Sequence, residues 1–191
     1  DVKISLNLSD RVIDLAAEGF DFAVRVGDLP DSSLVSVRLA DNRRLCVATP
    51  AYLAQHGTPQ HPSELLQHSC LTLSSDASQT RGWAFKVPPA DNVEGPEVTY
   101  LRPHGPLDCS DGQVLHSWCL AGMGIAWRST WEVENDIRTG QLVEVLADFA
   151  APPNGIYGVF PQRKHLPLRL RLWIDFLKHH FSLPSTWQSA P

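Results

Sequence analysis

The sequence predicts an α/β protein of two lobes, and three observations lead there. Strand-like and helix-like stretches alternate from the N-terminus, as "VKISLN", "DRVIDLAAEG" and "FDFAVRV". A polar, Gly- and Pro-containing stretch from about Leu73 to Leu107 then changes the texture, with short strands at "WAFKV" and "EVTYL". The last helix has no strand of its own and needs a sheet face to bury itself against. If it returns to the first lobe, the chain crosses between lobes twice. Lobe I is then residues 1–73 with 160–191, and lobe II is residues 74–159. The junction of two such lobes is a default place for a ligand.

Each element follows from local pattern. Residues 2–7, "VKISLN", alternate apolar and polar as a half-buried strand does. Ser9 offers an N-cap to "DRVIDLAAEG", with Gly19 as its stop. "FDFAVRV" is apolar at nearly every position after Asp21, which suits a strand covered on both faces. Strand, helix and strand in about 25 residues make a βαβ unit, hence a parallel sheet. "SLVSVRLA" and "RRLCVAT" read as strands around the turn "DN", and "TPAYLAQHG" as a short helix with Pro50 near its start and Gly57 at its close. "HPSELLQHS" is a second short helix and "CLTLS" a strand. "PLDCSDGQVLHSWCLAGMGIAWRS" reads as strand, helix, strand, the helix starting at Ser110 or Asp111 and stopping near Gly122. A helix and a strand follow in "STWEVENDIRTGQLVEVL", then a strand in "GIYGVFP". In the final helix, from near Pro167, the positions Leu170, Trp173, Ile174, Leu177 and Phe181 form one apolar stripe.

The totals narrow the class. A chain of 191 residues can bury a real core, and 43% hydrophobic with 19% charged residues suits a globular protein. No apolar run approaches the ~18 residues a membrane span needs, so no membrane partner is expected. Net charge of −5 is the wrong sign for a chain that grips nucleic acid over much of its surface. The basic group Arg163, Lys164, His165, Arg169 and Arg171 reads as the solvated side of the last helix. Cys46, Cys70, Cys109 and Cys119 form no CxxC pair and sit in apolar contexts, which suits reduced core cysteines in a cytoplasmic protein; the even count leaves a disulfide open. Histidine spacing suggests no metal site, no cofactor is expected, and no GxSxG elbow or triad stands out, so an enzyme is not the expectation.

The run from "SDRVIDLAAEGFDFAVRVGDLPDSSLVSVRLADNRRLCVATPAYLAQHGTP" through "LAGMGIAW", "IRTGQLVEVL" and "YGVFPQRKHLPLRLRLWIDFL" resembles the regulatory domain of LysR-type transcriptional regulators over nearly the whole chain. The resemblance implies a fold like type 2 periplasmic binding proteins: two α/β lobes, a two-stranded hinge and a small-molecule effector in the cleft. It implies homodimers or higher oligomers, pairing residues 2–7 of one copy with the helix from 111 to 122 of another. It also implies promoter DNA held by an N-terminal winged helix-turn-helix, and a strand and helix ahead of "VKISLN"; nothing in this sequence matches either. The alternative is a solute-binding protein of transport with the same fold.

Candidate effector contacts sit at strand ends. Arg25 closes a strand where it can meet an acidic effector or pair with Asp21 or Asp28. Gly27 and Asp28 follow that strand, where a ligand can approach the backbone or the chain can simply turn. Ser74 follows "CLTL", where the resemblance places a passage between lobes, and its hydroxyl can bond an effector or serve the loop. Ser110, Asp111 and Gly112 open a helix directly after a strand, which aims backbone N–H groups at a ligand; Asp111 also suits a plain N-cap. Trp127 can wall a pocket or pack in the core.

Overall fold

A computed structural model describes residues 2–9, 13–27, 29, 33–74, 82–87, 97–162 and 166–183. In chain order the elements are β1 (Ala23–Val26), β2 (Leu34–Asn42), β3 (Arg44–Ala48), α1 (Pro50–His56), a 3-10 turn (Pro62–Gln67) and β4 (Cys70–Leu73). Then come β5 (Trp83–Val87), β6 (Glu97–Leu101), β7 (Asp108–Cys109), α2 (Gly112–Leu120), β8 (Ile125–Ser129) and α3 (Thr130–Arg138). β9 (Val143–Val145), a 3-10 turn (Ala147–Phe149), β10 (Asn154–Pro161) and α4 (Leu168–Ser182) complete the order.

The chain forms two compact units, one from Ile13–Asn42 and Pro153–Pro191 with Asp1–Leu8, the other from Arg43–Pro152 with Ser9–Val12. The boundaries between these units include Asn42–Arg43 and Pro152–Pro153, where the sequence reading placed 73–74 and 159–160. Sheet pairing is the cause: β3 and β4, expected in the first lobe, hydrogen-bond to β8 of the second unit, and all of β10 belongs to the first.

The first unit holds a three-stranded sheet in the order β1-β10-β2, antiparallel throughout. α4 covers one face, with Leu170, Ile174 and Leu177 buried against residues that include Leu39, Ile156 and Phe160. The expected βαβ unit is not there. Residues 2–7 form no strand, and Val2, Ile4 and Leu6 are exposed. A strand exists only through a partner's hydrogen bonds, and residues 2–7 have none among the described residues. The expected helix is, over its described part, a single turn at residues 15–19. Asp14 caps this turn, its Oδ1 accepting from the N–H groups of Ala16 at 3.0 Å and Ala17 at 3.1 Å. Gly19, at φ +76°, ends the turn.

The second unit is a three-layer sandwich. Its sheet runs β7-β4-β8-β3-β9, with β4 parallel to β7 and β8, and β3 antiparallel to β8 and β9. Alternation along the strands feeds two cores. Cys46, Ala48, Cys70 and Ile125 face Tyr52, Leu65, Trp83 and Phe85; Leu45, Val47, Leu71 and Ala126 face Leu115, Cys119 and Val133 of α2 and α3. The helices start where capping chemistry allows. Thr49 Oγ1 accepts from Tyr52 N–H at 3.2 Å before α1, and Ser129 with Glu132 forms a capping box for α3. β5 and β6 pair as a separate antiparallel ribbon.

Candidate functional site

β4 and β7 lie parallel and end together, so Ser74 and Ser110 emerge from adjacent strand termini. The Ser74 N–H donates to the Cys109 carbonyl at 2.7 Å, extending the ladder by one bond. From Ser110 the chain turns directly into α2. Asp111 is its N-cap: Oδ1 accepts from the N–H groups of Gln113 at 2.8 Å and Val114 at 2.9 Å. The carboxylate thus satisfies two of the first-turn donors and places a negative charge where a ligand anion would otherwise sit.

Behind the helix start stands a buried ion pair that sequence reasoning missed. Arg128, 6% exposed at the end of β8, donates from Nη2 to Glu132 Oε1, while Glu132 Oε2 accepts from the Ser129 N–H at 2.9 Å. A Cβ on Gly112 would lie 2.8 Å from Arg128 Nη2, so the glycine is what lets the guanidinium close against the first turn of α2. Glu132 therefore caps α3 and neutralises Arg128 at once. The one available signal was the spacing of Arg128 and Glu132, four apart across a strand-to-helix junction.

Ser74, Ser110, Asp111 and Gly112 are brought together at one end of this sheet; Trp127 is not part of that group. Its neighbours on β8 alternate faces, and it packs with the cluster of Cys46, Trp83 and Ile125. The rings of Trp83 and Trp127 stack at 6.2 Å, and the Arg44 guanidinium lies 4.6 Å above Trp127.

In the first unit, Arg25 sits opposite Tyr157, which in turn sits opposite Arg38, so all three share a face of the sheet. Arg25 Nη2 donates to the Ile13 carbonyl at 2.8 Å, a tether for the turn at residues 15–19. Asp21, one of the two carboxylates expected beside Arg25, lies 3.8 Å from Arg169. Gly27 is buried at φ +101°, a conformation that favours glycine, and its N–H donates to the Gly155 carbonyl at 2.9 Å. Close by, Asn42 Nδ2 donates to Asn154 Oδ1 at 2.8 Å, joining the ends of β2 and β10. Asp28 and the basic residues Arg163, Lys164 and His165 lie outside the described residues.

All four cysteines are free thiols, and Cys46, Cys70 and Cys119 are buried. Burial pushes Cys70 and Cys119 up to about 12 and Cys46 well above the ordinary thiol range, so these groups stay protonated and inert. Among the described residues no group of three His, Cys, Asp or Glu side chains could hold a metal ion, and no helix is long and apolar enough to cross a membrane.

The family model described as LysR substrate binding domain matches residues 1–182. This chain belongs to the LysR substrate-binding domain family. The HTH-type transcriptional regulator DmlR of Escherichia coli K12 is 35% identical over 181 residues, covering 95% of this chain and 56% of that protein. The HTH-type transcriptional regulator CrgA of Neisseria meningitidis serogroup C is 38% identical, covering 92% and 56%. Among solved structures, the regulatory domain of CrgA from Neisseria meningitidis superposes with a TM-score of 0.67 at 35% identity, over 87% of this chain and 78% of that one. Full-length AphB of Vibrio cholerae gives 0.73 at 29% identity, over 95% and 59%. The two-unit α/β architecture is accordingly the periplasmic-binding-protein-like fold of LysR regulatory domains. The chain spans a little over half the length of the curated LysR relatives it matches.

Proposed function

We propose that this chain is the effector-sensing part of a LysR-type transcriptional regulator. It binds a small molecule and thereby changes how the whole protein, working as a homodimer or higher oligomer in the cytoplasm, holds promoter DNA through a separate N-terminal domain. The observation that carries the reading is the family match from residue 1 to 182, set beside a strand-end site of the kind α/β folds use for ligands. A transport solute-binding protein is disfavoured because the relatives cited are regulators. No catalytic role is assigned: Ser74 and Ser110 are read as hydrogen-bonding groups.

On the second unit, Ser74, Ser110 and the Gly112 backbone are the proposed contacts, with Asp111 setting the charge. Since Asp111 already occupies two helix-start donors and Glu132 neutralises Arg128, that surface favours a neutral or hydrogen-bond-donating group over an acid. Gly27 and Asp28 are the first unit's own candidates, whereas the contacts of Arg25 and Trp127 point to structural duty.

The test is a thermal-shift screen of sugars, amino acids, nucleosides, small carboxylic acids and aromatic acids against wild type, Ser74→Ala, Ser110→Ala and Asp111→Asn. Asparagine keeps the cap while removing the charge. A compound that raises the wild-type midpoint, and raises it less in at least one variant, supports the site. A compound that stabilises all four proteins equally places sensing elsewhere.

A further inference from the structure

Three strand ends of the first unit come together: Gly27 follows β1, β2 ends at Asn42 and β10 begins at Asn154. Asn42 is 2% exposed. Its Nδ2 donates to Asn154 Oδ1 at 2.8 Å, while its own Oδ1 is buried without a hydrogen-bond partner. An apolar residue of that size would avoid the orphaned acceptor, so packing alone does not account for an asparagine there. The asparagine orients its neighbour instead. With its Oδ1 held by Asn42, the Asn154 amide turns Nδ2 toward Gly27, and among the described residues those two N–H groups meet no acceptor. A Cβ on Gly27 would lie 3.6 Å from Nδ2 and, its chain neighbours aside, within 4 Å of no other atom of a described residue, so glycine keeps that side open. The backbone of Asn154 is fixed as well: Arg38 Nη2 donates to its carbonyl at 3.0 Å and to Asp41 Oδ1 at 2.7 Å.

We propose that the Asn154 amide donates hydrogen bonds to an oxygen of the effector, a carbonyl or a carboxylate, and that Asn42 is the positioning residue that aims it. The assignment rests on the effector reading above and adds the chemical group that the first unit recognises. Carbonyl and carboxylate oxygens share the necessary chemistry, because both offer lone pairs to N–H donors. A group that can only donate has nothing to bond there. A donor already held in place loses little freedom when the ligand arrives, and that is what the buried partner of Asn154 supplies.

Heteronuclear NMR of the isotope-labelled 191-residue chain tests it, read at the side-chain amide of Asn154 and the backbone amide of Gly27. The probes are acetamide, acetate and methylammonium, the last a donor without an acceptor. Acetamide or acetate shifts both signals saturably below about 100 mM, as four heavy atoms at ordinary ligand efficiency should, and methylammonium does not. Comparing the first two probes tells a neutral carbonyl from a carboxylate. Asn154→Asp abolishes the Gly27 shift. Asn42→Leu weakens the probe by about fivefold, yet its thermal midpoint stays at or above that of wild type because the orphaned acceptor is gone. A merely structural asparagine would lower the midpoint and leave the affinity unchanged. Absence of a saturable shift with either oxygen probe, a shift with methylammonium in their place, or undiminished binding in Asn42→Leu overturns the proposal. A compound from the thermal-shift panel that stabilises wild type and Asn154→Asp equally also overturns it, while leaving the effector reading intact. A panel without a hit counts against that reading, and the probes decide Asn154 independently.

Discussion

β1 and β8 are strands of nearly equal length and similar composition, yet they are supported very differently. β8 has a paired strand on each side and a hydrophobic cluster on each face. β1 pairs with β10 alone among the described residues, and its Val24 is 46% exposed. The contrast teaches that strand stability belongs to the neighbours more than to the strand. It also separates a closely braced second unit, which carries Ser74 and the start of α2, from a first unit whose β1 has one strand neighbour among the described residues.

The largest way to break this contrast is inside the second unit's bracing. Glu132→Ala removes the cap of α3 and leaves Arg128 buried without its counter-charge, so urea unfolding should show a loss of about 3–5 kcal/mol. Hydrogen exchange compares the strands directly. Amides of β8 should exchange about two orders of magnitude more slowly than those of β1, and equal rates would end the comparison. Matched substitutions sharpen it further: Val47→Thr on β3 buries a hydroxyl and should cost about 1–3 kcal/mol, whereas Val24→Thr should stay within about 0.5 kcal/mol.

Smaller effects belong to single groups. Asp111→Ala should cost about 1 kcal/mol through the lost cap, and Asp111→Asn only a few tenths, so a large loss in the asparagine variant would mean the charge itself holds α2. The smallest effect is the pH dependence of His68. Burial, then the neighbouring His56, hold its imidazole below the ordinary histidine range, beside the Tyr52 hydroxyl at 3.3 Å. The unfolded chain therefore takes up this proton at a higher pH than the folded one. Stability is undiminished above the ordinary histidine pKa and falls as the pH drops through it, levelling below the folded value. Thermal midpoints of His68→Gln should lose that part of the acid slope.

Local chemistry was legible in the chain. Pro50 after Thr49, Asp111 before α2 and the stripe of α4 each specify an element through neighbours within a few residues, and each stands in the fold. The Asp14 cap shows the limit of that logic. Ser9 and Asp14 are both competent caps, and local pattern does not choose between them.

Everything that depends on distant partners was decided by tertiary structure. Whether β3 and β4 join one sheet or another depends on β8, some 55 to 80 residues further along, and a run of apolar residues carries no address. The same holds for Arg25, whose hydrogen bond to Ile13 is a fact of folding, and for Trp127, whose stack with Trp83 sets it, partly buried, against a core cluster. By itself the sequence determined the family, nearly all element types from β1 onward and the starts of α1, α2 and α4, because these rest on short-range hydrogen bonds and periodicity. Sheet membership, the bracing of Gly112 by Arg128 and Glu132, and the amide pair of Asn42 and Asn154 came only with the fold, because burial and pairing are properties of surroundings.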